Sequence, residues 1–243
     1  MGDYTAAQTT AGDHARAPDS RPRRIAVDGS AASGKSTIGR RLAEQLGYAF
    51  LDTGVMYRAV THAALERGLS LQDNTAIGKL AQALTIDVSL DCDRSEPRAT
   101  IDGSDVTPYL RSQRVEDAVS LFSRIAAVRD ALVSRQREIA KHQPIVMAGR
   151  DIGTVVLPDA DLKVYLDASI EERARRRYAD FLASGHEVSP EIVREDLRRR
   201  DRTDSEREMS PLRPADDAVI INTDRLSLDD VMDRVIGLVR GGE

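Results

Sequence analysis

Ile25-Ala26-Val27-Asp28-Gly29-Ser30-Ala31-Ala32-Ser33-Gly34-Lys35-Ser36-Thr37 decides how this chain is read. Ile25 to Asp28 is a short apolar run of the kind buried parallel strands have. Gly29 to Ser36 fits the pattern G-x-x-x-x-G-K-[ST]. Ile38, Leu42 and Leu46 then recur at helical spacing on one face, and Gly47 stops the run. Strand, small-residue loop and amphipathic helix are the context this pattern requires, which disfavours a mere Gly-rich turn. Small residues let the backbone curl its N–H groups inward, and the helix N-terminus adds positive partial charge. Gly29, Ser30, Ala31, Ala32, Ser33, Gly34, Lys35, Ser36 and Thr37 are therefore expected to cradle a nucleoside triphosphate. Lys35 is expected at the β- and γ-phosphates, Ser36 at a Mg2+ ion and Thr37 beside the α-phosphate.

Outward from this loop, strand and helix signals alternate. Tyr48–Leu51 reads as a strand, and Met56, Val60 and Ala64 mark a helix ending near Gly68. The pattern resumes with strands at Ile145–Ala148, Leu162–Leu166 and Ala218–Ile221, and helices over Ile170–Ala183, from Pro190 after a Ser189 cap, and over Ser227–Val239. Such alternation predicts an α/β domain with a five-stranded parallel sheet flanked by helices. The middle breaks the pattern. After a helix near Thr75–Leu84, the stretches Thr85–Leu90, Arg98–Asp102 and Val106–Leu110 read as three short strands, with turns at Asp91–Pro97 and Asp102–Ser104. They predict a small antiparallel lobe inserted in the α/β unit. A long helix, with room for an interruption, is expected from Glu116 to Ile139. Residues 1–22 have no apolar period and are expected to form a disordered tail before one domain at 23–243.

Composition narrows the class. With 41 % hydrophobic residues in 243, the chain can bury a core. No stretch approaches the roughly 20 apolar residues of a membrane span, and Met1 to Arg24 lacks a signal-peptide centre, so a cytoplasmic protein is expected. The single Cys92 excludes an intrachain disulfide, and His14, His62, His142 and His186 have no metal-ligand spacing. A net charge of −5 does not favour bulk nucleic-acid binding. Only Lys35, Lys79, Lys141 and Lys163 are lysines, so 31 of the 35 basic residues are arginines. Base composition explains that bias in general; position decides which arginines bind phosphate. A guanine-reading Asn/Thr-Lys-x-Asp segment and an LSGGQ-like signature are both absent, which disfavours a GTPase switch and a transporter ATPase. Lys163–Asp167 resembles a strand ending in a metal-holding aspartate, but Asp167 reads better as a strand-end or cap residue.

Two further segments sit at strand ends, Asp52-Thr53-Gly54-Val55-Met56-Tyr57-Arg58 and Gly149-Arg150-Asp151-Ile152-Gly153-Thr154. Parallel strands share one C-terminal edge, where ligands bind. Arg200-Asp201-Arg202-Thr203-Asp204-Ser205-Glu206-Arg207 follows a helix able to close over that edge. In these motifs together, from about Ile25 to the C-terminus, the chain resembles the bacterial cytidylate kinases. The resemblance implies a nucleoside monophosphate kinase fold with a core at about 23–71 and 140–243, a monophosphate-binding lobe at about 72–139 and a short lid at about 173–186. It implies transfer of the ATP γ-phosphoryl group to CMP or dCMP with Mg2+. By the same resemblance, Arg58, Arg150 and Arg207 clamp the acceptor phosphate. Ser120, Arg129 and Asp151 read the cytosine, Arg200 and Asp204 meet the ribose, and Thr53 and Tyr57 line the pocket. Lys35 and Arg150 act on the transferred group, and Arg173, Arg176 and Arg177 reach it from the lid.

The residue types suit that chemistry. Cytosine offers an N4 amino donor beside two acceptors, which matches a carboxylate paired with an arginine; uracil would set O4 against Asp151. The attacking phosphate oxygen is already ionised near neutral pH, so no histidine base is required. Bland readings exist as well: Arg173–Arg177 fits an exposed helix face balanced by Glu171 and Glu172, and Arg200–Arg207 fits a solvated charge run. The chain departs from many relatives at Ser30, where they have Pro, and at Ala148, where they have an acid that bears on Mg2+ binding. A kinase for another monophosphate or small metabolite is the alternative, and an RNA-stimulated ATPase is disfavoured by three Phe and no Trp. A monomer is expected, since no coiled-coil repeat is visible.

Overall fold

The computed structural model describes residues 21–92, 97–183, 185, 187–207 and 209–241. The expected tail, apart from residues 21 and 22, lies outside these, as do His14, His186, part of the Asp91–Pro97 turn and two positions near the end of the expected lid.

Five parallel strands form the central sheet: β1 (Arg24–Gly29), β2 (Ala49–Asp52), β6 (Ile145–Gly149), β7 (Leu162–Asp167) and β8 (Val219–Asn222). Their spatial order is β2-β6-β1-β7-β8. From β1 the chain passes to the edge strand β2, returns to β6 between the two, and then crosses to β7 and β8 on the other side, so the sheet has a switch point beside β1. Side chains alternate between the two faces. Ala26, Leu51, Ile145 and Met147 enter one apolar cluster with Met56, Val60, Ile77 and Leu132. Ile25, Val27, Val146 and Ala148 enter the other with Ile38, Leu42, Val231 and Val235. The first cluster is capped by α2 (Thr53–Glu66), α3 (Asn74–Ala83) and α5 (Ala126–His142); the second by α1 (Lys35–Leu46) and α8 (Leu228–Val239). Burial on both faces explains why β1 and β6 read as unbroken apolar runs, whereas the edge strand β8 buries Ile221 and leaves Val219 and Ile220 exposed.

The remaining elements form the rim of the site. The insert carries an antiparallel sheet of β3 (Ile86–Val88), β4 (Ala99–Ile101) and β5 (Ser104–Asp105). The expected strand at Val106–Leu110 is not formed; Thr107–Tyr109 is a short 3-10 turn instead. Pro108 has no N–H for a ladder, and the Asp105 carboxylate accepts from the Thr107 N–H, which starts the turn. The expected long helix is two: α4 (Gln113–Phe122) and α5, separated at Ser123–Ile125 where Ile125 is extended. That break turns α4 so that Ser120 and Arg129 both face one cleft. Helices α6 (Ile170–Ala183) and α7 (Pro190–Ser205) pack together over Ala174, Val193 and Leu197, against Ala31 of the loop. Ser189 caps α7 by accepting from the Ile192 N–H, and Ser227 caps α8 reciprocally with Asp230. None of the described helices is long and apolar enough to cross a membrane.

Candidate active site

Strand register brings the motifs together. Asp28 of β1 stands beside Gly149 of β6, and Asp52 of β2 stands beside Ala148. The loops leaving these strand ends line one cleft of about 630 Å3. Of the residues singled out from the sequence, all but Gly29, Ser30 and Arg173 line it.

The loop at its base is built for close approach. A Cβ at Gly29 would sit 2.4 Å from the Leu166 carbonyl oxygen, so only glycine fits there. Gly34 precedes α1 with φ +93°, a conformation glycine adopts without strain, and supplies no side-chain cap. The first-turn residues Lys35, Ser36 and Thr37 line the cleft, an arrangement suited to an anion. The Lys35 ammonium donates to the Ser30 carbonyl at 2.9 Å. Burial, reinforced by the Arg150 charge, holds it well below its usual pKa. An arriving polyphosphate reverses that balance by supplying opposite charge.

Asp52, which the sequence reading passed over, joins the loop to the acceptor side. One carboxylate oxygen accepts from Ser36 Oγ at 2.7 Å and the other caps α2 through the Gly54 N–H at 2.9 Å. Ser36 and Asp52 thus form an oxygen-only donor pair at the loop mouth, which fits a hard divalent cation completed by phosphate oxygens and water. Asp28 was also missed. Its buried carboxylate accepts from the Ile152 and Gly153 N–H groups, both at 2.7 Å, and so fixes the turn that carries Arg150 and Asp151. Burial pushes its pKa up to about 6.

On the acceptor side, charges are paired in depth. Arg129 and Asp151 form a buried ion pair, and the Arg129 guanidinium lies over the Tyr57 ring, 5.6 Å from its centroid. Burial pushes the Tyr57 hydroxyl up to about 12. Asp204 bridges Arg150, at 2.8 Å, and Arg207. Burial opposes its ionisation, yet the two arginines together hold its carboxyl below the usual value. Arg150 also donates to the Gly29 carbonyl at 2.9 Å, tying the acceptor side to the phosphate loop. The Thr53 hydroxyl donates to the Ala148 carbonyl at 2.9 Å.

Glu116 is the third acid that sequence alone did not single out. It accepts from Arg58 Nε at 2.8 Å and Arg200 Nη2 at 2.8 Å, with Arg177 at 3.5 Å. These partners lie 58, 84 and 61 positions away, so no local spacing could have found them. Arg176 is held by Glu172 and by Thr223, and its Nη1 reaches the Ser33 carbonyl at 3.4 Å. Arg173 is placed differently from the expectation. It is buried, pairs in two hydrogen bonds with Asp201 on α7, and donates to the Ala168 and Ala31 carbonyls. It braces α6 to α7 and to the loop rather than lining the cleft.

Comparison with known proteins bears on which phosphate chemistry this cleft serves. The family model described as cytidylate kinase matches residues 25–241. A cytidylate kinase of Bacillus licheniformis is 43 % identical over 215 residues, covering 88 % of this chain and 95 % of that protein. A cytidylate kinase of Geobacillus kaustophilus is 46 % identical over 218 residues, covering 88 % and 95 %. The match takes in the phosphate loop, both strand-end motifs and the α7 charge run, so the chain belongs to the cytidylate kinase family.

Proposed function

We propose that this chain transfers the γ-phosphoryl group of ATP to CMP or dCMP, giving ADP and CDP or dCDP. One observation carries the reading: a single cleft joins an open helix N-terminus holding Lys35 to a buried Arg129–Asp151 pair and a converging set of arginines. The first end suits a polyphosphate, and the second suits a nucleobase edge with a phosphate beside it.

The acceptor is a phosphate monoester whose second pKa is about 6, so its attacking oxygen is ionised at neutral pH. The chain needs no general base, and what it supplies is position and charge. Backbone N–H groups of the loop and Lys35 hold the donor. Arg58, Arg150 and Arg207 hold the acceptor phosphate in line with it and offset the repulsion of two anions. Arg150 is the pivot, since its contacts with Gly29 and Asp204 place it between donor loop and acceptor pocket. Arg129 and Asp151 read the cytosine with Ser120 nearby, Arg200 and Asp204 meet the ribose, and Thr53 and Tyr57 wall the pocket. Arg176 and Arg177 face the cleft from α6, which acts with α7 as the lid that excludes water. Arg173 contributes by bracing that lid. Ser36 and Asp52 would hold Mg2+, which would supply screening of the phosphate oxygens and polarisation of the transferred group. Ala148 lies in the apolar cluster, so Asp52 would supply the acidic group that Ala148 cannot. The protein is read as a cytoplasmic monomer without a nucleic-acid partner, in keeping with its net charge of −5.

ADP formation from ATP and Mg2+ is measured with CMP, dCMP, UMP, AMP or RNA added. Strong dependence on CMP and dCMP is expected. Equal rates with UMP or AMP would overturn the cytosine assignment, and stimulation by RNA alone would overturn the kinase reading.

A further inference from the structure

Glu116 lies in the first turn of α4 with 4 % of its surface exposed, and it lines the cleft. Its carboxylate gathers guanidinium groups from three other elements: Arg58 of α2, Arg177 of α6 and Arg200 of α7. Arg200 also donates to the Glu116 backbone carbonyl at 2.5 Å. Arg111 adds positive charge close to Arg177. Burial alone would favour the neutral acid, but Arg58, Arg200 and Arg177 outweigh it and keep the carboxyl well below its usual pKa. Glu116 is therefore an anion seated among cations that face the acceptor side.

We infer that Glu116 is an internal counter-ion that competes with the acceptor phosphate for Arg58, and so sets the affinity for the monophosphate. The inference rests on the acceptor site proposed above. Without substrate, several guanidinium groups crowded into a half-closed cleft repel one another, and one fixed carboxylate relieves that repulsion. An arriving phosphate dianion meets Arg58 within a guanidinium's width of that carboxylate. Like charges at such separations repel strongly where water is partly excluded. Glu116 thus weakens binding of the acceptor and of the diphosphate product. It is a positioning residue, acting through Arg58, Arg177 and Arg200 rather than on the reacting atoms.

The isosteric variant Glu116→Gln keeps an acceptor oxygen for Arg58 Nε and removes the charge. Titration calorimetry compares CMP with cytidine, which lacks the phosphate. CMP is expected to bind about tenfold more tightly to Glu116→Gln than to the native protein, with cytidine unchanged. The KM for CMP should fall, and kcat should fall with it as product release slows. Unchanged or weaker CMP binding by a cooperatively folded Glu116→Gln would overturn the inference. Should that variant not fold, the native protein decides: the Arg58 Nε–H resonance, assigned with Arg58→Lys, must shift on adding CMP and not on adding cytidine. A resonance that stays in place overturns the inference. Arg58→Ala separates the two proposals. If it leaves CMP binding intact, the acceptor site itself is misread; if it weakens CMP while Glu116→Gln fails to strengthen it, only the counter-ion role falls.

Discussion

Replacing Asp151 by Asn tests base reading at the atom that carries it. Asp151 and Arg129 are 4 % and 3 % exposed and pair directly, so each lacks water to fall back on. In the native pocket the carboxylate accepts only, which suits the N4 amino group of cytosine and opposes O4 of uracil. Asn can turn its amide either way and so accommodates both bases. The penalty that UMP meets is one unpaired buried group, about 1–3 kcal/mol, which corresponds to a ratio of roughly 5 to 150. The ratio of kcat/KM for CMP over UMP should therefore fall by about tenfold or more in Asp151→Asn. The substitution also breaks a buried ion pair, at a cost of about 3–5 kcal/mol, and so lowers stability. That loss depresses both substrates alike and cancels in the ratio. The assay is steady-state ADP formation with each nucleotide, beside urea unfolding of both proteins. A ratio that stays constant while both activities drop would refute the reasoning and leave the pair a structural brace.

Arg173→Met should destabilise the fold by about 3 kcal/mol, since it strands Asp201 and removes the tie between α6, α7 and the loop. Unfolding midpoints check this; an unchanged midpoint with kcat alone reduced would return Arg173 to the reacting phosphates. Asp28 gives a pH signature. Its carboxyl is raised from 3.8 to about 6, so the folded state holds the proton more tightly than the unfolded chain. Its contribution to stability is complete below about pH 4 and is lost as pH rises through 6, by up to about 3 kcal/mol. Asp28→Asn should abolish that loss, so the stability of the native protein relative to the variant should decline between pH 4.5 and 7. Parallel curves would contradict it. Glu116 works in the opposite sense: its lowered carboxyl contributes stability above 4.5 that is lost in acid below that value.

Much of the fold was legible because its signals are local. The phosphate loop, the five apolar runs and the Ser189-Pro190 cap each lie within a few consecutive residues, and the structure places them within about a residue of the expectation. The failures also have local causes. A β-like pattern at Val106–Leu110 lost to the missing N–H of Pro108 and the Asp105 side chain. The break at Ser123–Ile125 has no Gly or Pro to mark it, so helical periodicity ran across it. In the site, the cationic half was visible because arginines stood in recognisable strings. The anionic half was visible only in part: Asp151 and Asp204 stood beside arginines in those strings, but nothing near Asp28, Asp52 or Glu116 in the sequence marks the partners they meet.

The sequence by itself determined the phosphate loop, the alternation that makes a parallel sheet and the motifs that place the chain in its family. These follow from backbone conformation and side-chain period, which neighbouring residues impose on one another. Only the tertiary structure decided which charges meet. It set Glu116 among arginines from three helices, joined Asp52 to Ser36, and withdrew Arg173 from the cleft into a bond with Asp201. A buried charge needs a partner at about 3 Å, and that partner can come from anywhere in the chain that the fold brings within reach.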